Sequence, residues 1–120
     1  MTVSKITGFH MAVRNMPQAK TFYVDKLGFK VTKDYRQDDD HWWVTLELPD
    51  GTPTLNLTTF PENLQPGTLK LYLAAPDIEK AYHDLKSKGV QPTSEIADDG
   101  WGKWFELNDP DGNRWIVVQA

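Results

Sequence analysis

A short turn spelled twice limits what this chain can become more than any other feature. Asp109-Pro110-Asp111-Gly112-Asn113 sits between two strand-like runs, and its Pro-Asp-Gly centre recurs at Pro49-Asp50-Gly51. Proline presets φ at the first corner, and aspartate hydrogen-bonds back onto the turn. Glycine takes the positive φ that closes a three-residue hairpin loop. Two copies about 61 residues apart in a chain of 120 indicate a duplicated unit. The flanks agree: Asn15 with Asp77, Ala19 with Ala81, Tyr23 with Leu85 and Gly28 with Gly89 match at that offset or one residue more.

Each unit reads as a strand, a helix and three strands. Ile6 to Arg14 alternates, with Phe9, Met11 and Val13 on one face and Gly8, His10, Ala12 and Arg14 on the other. A helix follows from Met16 or Pro17, capped by Asn15 or Met16. Its stripe is Ala19, Phe22, Tyr23 and Leu27, and Gly28 is its C-cap. Strands are expected over 29–35, 41–48 and 54–59, with the polar run Arg36 to Asp40 as a solvated loop. In the second unit Leu69, Leu71 and Leu73 oppose Thr68, Lys70 and Tyr72 along a strand. Asp77 caps a helix with Ile78, Ala81, Tyr82 and Leu85 as its stripe and Gly89 as its end. Strands follow over 90–96, interrupted by Pro92, and over 103–108 and 114–119. The expected fold is α+β within one domain: module one over about 4–60, a connector over 61–67, and module two over about 67–119.

Composition narrows the function. A net charge of −4 disfavours nucleic acid, whose phosphates reward a basic face, and leaves neutral or cationic small molecules as candidates. The absence of cysteine removes disulfides, thiolate nucleophiles and Cys-ligated zinc. No apolar run approaches membrane-spanning length, and Met1-Thr2-Val3-Ser4-Lys5 lacks a signal core, so the expectation is a soluble cytoplasmic protein with no membrane partner. Each module has one apolar strand face for its helix and one mixed face. Curving the two mixed faces round a shared cup-shaped cavity is the economical arrangement.

The chain resembles the vicinal oxygen chelate superfamily, which holds glyoxalase I, extradiol dioxygenases, fosfomycin resistance enzymes and bleomycin resistance proteins. The resemblance is carried by Phe22-Tyr23 with Leu27-Gly28-Phe29, by Leu85 with Lys88-Gly89-Val90, and by Asp109-Pro110-Asp111-Gly112-Asn113. It implies two βαβββ modules, a homodimer, and, in the enzymes, a divalent metal held from the first and last strands of each module. The corresponding positions here are Gly8, Asn56, Thr68 and Ile116. Glycine and isoleucine have no donor, and threonine and neutral asparagine are poor ligands for Zn²⁺, Mn²⁺ or Fe²⁺. The favoured reading is therefore a binding protein without cofactor, similar to bleomycin resistance proteins and taking an aromatic or cationic small molecule. The alternative is a lyase, isomerase or dioxygenase of the glyoxalase type using Zn, Mn, Ni or Fe at a displaced His10, Glu47 and Glu106 site, with Glu47 placed opposite Asn56. A metal-free enzyme with His10 as general base lies between them.

The candidate ligand residues are His10, His41, Trp43, Glu47, Asn56, Tyr72, Trp101, Trp104, Glu106 and Arg114. His10 is either a ligand-contacting or proton-transferring group, or a histidine hydrogen-bonded within the wall. His41 belongs at the rim, and His83 faces solvent. Trp42 and Trp43 point to opposite faces, and pairing arithmetic turns Trp43 to the mixed one. Trp104 shares a face with Glu106, Trp115 turns toward the helix, and Trp101 sits in a Gly100–Gly102 loop. Convergent tryptophans suit a flat organic ligand bound by stacking or cation–π contact. Glu106 and Arg114 form either a structural salt bridge or a pair that orients a polar ligand.

Overall fold

The structure, a computed structural model, describes residues 2–51, 53–60 and 64–120. It forms two compact units, Met1–Pro66 and Gly67–Ala120. Module one runs β1 (Gly8–Ala12), α1 (Met16–Lys20, continuing as a π-helical stretch over Thr21–Lys26), β2 (Lys30–Asp38), β3 (His41–Glu47) and β4 (Thr54–Thr58). Module two runs β5 (Lys70–Ala75), α2 (Ile78–Ser87), β6 (Ala97–Asp98), β7 (Lys103–Asn108) and β8 (Arg114–Gln119). Each is βαβββ, with strand orders β1-β4-β3-β2 and β5-β8-β7-β6. In both sheets the first strand lies parallel to the last, and the other pairings are antiparallel.

The helix of each module begins where its cap residue stands. Asn15 accepts from the Gln18 amide and Asp77 from the Lys80 amide, each satisfying an orphan donor of the first turn. The first helix then widens, since the Leu27 amide reaches back to Phe22 rather than to Tyr23. Its inward side carries Ala19, Phe22 and Tyr23, all buried, and Tyr23 donates its hydroxyl to Met11 Sδ at 3.3 Å. Val44, Leu46, Leu55 and Leu57 complete this core with no exposure, each contributing about 1.5–3 kcal/mol by leaving water. In module two, Phe105, Leu107, Trp115 and Val117 form the corresponding layer, with Tyr82 edge-on to Phe105 at 5.1 Å. Trp115 thus turns to the helix side.

Both Pro-Asp-Gly turns close hairpins, with Gly51 at φ 95° and Gly112 at φ 99°. The Gly112 amide bonds Asp109 O at 3.1 Å and the Asp109 amide bonds Asn113 O at 3.0 Å, a three-residue loop with a glycine bulge. The second copy carries more than its turn. Asp109 Oδ1 accepts from the Asp111 and Asn113 amides, while Asn113 Nδ2 donates to Asp109 Oδ2 at 2.8 Å. Asn113 Oδ1 in turn accepts the Leu69 amide at 3.0 Å, tying the hairpin to the start of β5.

The structure corrects several sequence-based expectations. β1 is shorter than 6–14. β2 continues through Asp38, so the run Arg36 to Asp40 is the end of a strand and a turn rather than a loop. Its charges are satisfied locally: Arg36 stacks on Trp42 at 4.3 Å and pairs with Asp39, and Asp38 receives the Asp40 amide. No strand forms over 90–96. Pro92 has no amide for a ladder, and β7 is met there by the Thr93 amide to Glu106 O and by Ser94 Oγ on the Glu106 amide. The two-residue β6 lies farther on. Part of the 61–67 connector, residues 61–63, lies outside the described residues.

Asn113 is fully buried and bonded on both ends of its amide. Asn113→Ala removes the partner of the Leu69 amide and one bond to Asp109, and we expect a loss of about 2–3 kcal/mol, read as a lowered urea midpoint at unchanged slope.

Candidate functional site on the mixed face of module one

Strand register sets this site before any side chain is considered. His10 pairs with Asn56, Asn56 with Thr45, and Thr45 with Lys33, forming one row across the sheet. The next row on the same face is Ala12, Thr58, Trp43 and Tyr35. The intervening row, Met11, Leu57, Val44 and Asp34, belongs to the opposite, helix-covered side.

Asn56 fixes the centre of the face. Its Oδ1 accepts from Thr45 Oγ1 at 2.8 Å and from Trp43 Nε1 at 3.3 Å, while its Nδ2 donates to Phe9 O at 3.1 Å. The indole is thereby held in place, with the His10 ring 5.5 Å away and tilted. Beside them opens a cleft of about 470 Å³ lined by His10, Trp43, Thr58, Phe60 and Leu64. His41 stands at its edge, its ring 5.8 Å from Phe60 and its Nδ1 3.0 Å from Asp38 Oδ1. Trp42 points the other way, donating to Asp34 between Arg36 and Lys20. Partial burial pushes Asp34 up, but hydrogen bonds from Lys20 and Trp42 outweigh it and hold the carboxyl below the usual range.

The structure thus gathers His10, Trp43 and Asn56, with His41 at the rim. Glu47 does not join them: Asn56 faces Thr45, and Glu47 pairs with Lys30 at the exposed end of β3. Within either module, the described residues bring together no three His, Asp or Glu side chains suited to a metal ion. Gly8 leaves no room for a side chain. A Cβ built there would come within 2.5 Å of Thr54 Oγ1 and 3.2 Å of Thr54 O.

On module two, Tyr72, Ile116 and Glu106 form one row and Trp104 lies in the next. Arg114 grips Glu106 with two bonds, at 2.8 and 3.1 Å. That contact holds the Glu106 carboxyl below its ordinary range and raises Arg114 further. Trp104 donates to Asp99 at 2.8 Å, whereas Trp101 is exposed in its loop. Sequence reasoning missed Lys33, Tyr35, Thr45, Thr58, Phe60 and Leu64. For Lys33 and Tyr35 the signal was present in the β2 alternation, but a register shift between Val31 and Lys33 obscures it.

A family model described as Glyoxalase/Bleomycin resistance protein/Dioxygenase superfamily matches residues 5–117. The solved structure of TnmS3, an antibiotic binding protein from Streptomyces sp. CB03234, is similar with a TM-score of 0.88 at 27% identity, over 99% of this chain and 98% of that one. A superfamily member from Sphaerobacter thermophilus DSM 20745 gives a TM-score of 0.85 at 25% identity, over 100% of each chain. The uncharacterized protein YetH of Bacillus subtilis (strain 168) is 26% identical over 111 residues, 89% of this chain and 91% of its own.

Two outcomes follow from this geometry. Gly8→Ala pushes Thr54 aside and should cost about 1–3 kcal/mol, measured by denaturant unfolding. Because the carboxyl of Glu106 is depressed in the folded state, its contribution is present above the ordinary carboxylate range and is lost as pH falls through the lowered value. Glu106→Gln should therefore lower the thermal midpoint at neutral pH and flatten its fall in acid.

Proposed function

The chain belongs to the Glyoxalase/Bleomycin resistance protein/Dioxygenase superfamily, and from that premise we propose that it binds an aromatic small molecule without a metal ion. The observation carrying this reading is the cleft beside Trp43, His10 and Phe60. Its volume of about 470 Å³ falls within the roughly 300–1,000 Å³ typical of small-molecule sites. Its aromatic walls supply stacking area, and the indole is preorganised by Asn56. TnmS3, similar over nearly its whole length, is described as an antibiotic binding protein.

The residues at the superfamily's metal positions do not fit an ion. Gly8 has neither a donor nor space for one, Asn56 has its carbonyl oxygen occupied by two protein donors, and Ile116 is buried hydrocarbon. Glu106, a member of the displaced alternative, is already neutralised by Arg114. We extend the reading to a homodimer in the cytoplasm, the assembly the resemblance implies. Among the described residues, no helix is long and apolar enough to cross a membrane.

Tryptophan fluorescence titration with planar aromatic compounds tests the reading directly. His10→Ala should weaken binding by about 1 kcal/mol, while His83→Ala, on the exposed side of α2, should leave it unchanged. Stoichiometric zinc, manganese, nickel or iron in the purified protein, with a thermal midpoint that drops on chelation, would instead favour a metal-dependent lyase, isomerase or dioxygenase.

A further inference from the structure

Resting on that reading, we infer a second aromatic subsite that shares Trp43 with the first cleft, and the chemical class it takes: a flat aromatic acid, carboxylate or phenolate, seated on Tyr35 and Trp43 with its negative charge on Lys33. A second cleft of about 290 Å³ opens on the other side of Trp43, lined by Lys33, Tyr35, Trp43 and Thr45. The register makes these four a square, with Tyr35 beside Trp43 and Lys33 beside Thr45. One edge is therefore aromatic and the other polar. Tyr35 is 63% exposed and Trp43 39% exposed, a large share of ring surface left facing outward.

Charge decides which substituent the polar edge takes. Lys20, Arg36, Lys103 and Arg114 each hold a carboxylate, but among the described residues none pairs with Lys33. The nearest acid in sequence, Asp34, points to the opposite face and is bound by Lys20 and Trp42. On the same face Asp38 is paired with His41 at one end, and Glu47 stands opposite Lys30 at the other. The middle of the face therefore offers one ammonium and two rings. Thr45 has already given its hydroxyl proton to Asn56, so it can only accept and would not hold an anion. A cationic aromatic would meet Lys33 head-on, despite the net charge of −4 on the whole chain. An anionic one would pair with it while its ring covers Tyr35 and Trp43.

The test uses three compounds of one shape, 2-naphthoate, 2-naphthylmethanol and 2-naphthylmethylammonium, titrated calorimetrically at low salt into the full chain. The acid should bind about threefold tighter than the alcohol and about tenfold tighter than the amine, an advantage that fades with added salt. Lys33→Met should bring the acid-to-amine ratio close to one, while Lys88→Met, an exposed lysine after α2, should leave it unchanged. Equal binding of all three, a preference for the amine, or an acid preference that survives Lys33→Met would overturn this inference alone. Binding of none would overturn the aromatic-ligand reading with it.

Discussion

The buried pair Asp109 and Asn113 is the constraint on which module two depends. A turn needs only proline, a short polar residue and glycine, and the first copy closes with the Gly51 amide on Leu48 O. The second adds an aspartate before and an asparagine after, and their side chains leave no polar atom of the pair facing apolar surroundings alone. Because Asn113 also takes the Leu69 amide, the loop between β7 and β8 sets the start of β5 as well. Arg114 N on Leu69 O then carries the parallel pairing onward. A local turn has become the join between the first strand and the last.

Module one has a corresponding centre, but on its open face. The amide of Asn56 is spent on Trp43, Thr45 and the backbone of Phe9. The same three bonds that occupy this side chain hold the indole between two clefts. Gly8 contributes by having no side chain at all, letting β1 approach Thr54 closely. The middle of this face carries the Trp43 and Tyr35 rings, a tilted imidazole and the ammonium of Lys33.

Much of this was legible in the residue order. Alternation in Gly8–Ala12 and in β7 turned His10 and Glu106 to the mixed faces, and the repeated turn located both modules. With Asp109 closed on Asn113, Glu106 stands opposite Ile116. Glu47 does not stand opposite Asn56 as expected, because the first loop lacks that pair and the register there puts Thr45 against Asn56. Charge misled over Arg36 to Asp40: a polar run reads as solvated loop, while the pairings of Arg36 with Trp42 and of Asp38 with His41 keep it in the strand.

What the sequence determined by itself was everything set by neighbours in the chain: cap positions, turn chemistry and the period of the apolar residues. These depend on contacts within a few residues, so they need no knowledge of the partner strand. Tertiary structure decided which side chains share a cleft. Lys33, Tyr35 and Phe60 meet Trp43 and His10 only through the bulged register of β2 on β3 and the ordering of β1 beside β4. A one-residue shift of β2 on β3 would send Lys33 and Tyr35 to the other face, and the alternation of β2 does not by itself place the bulge between Val31 and Lys33 that turns them to this one.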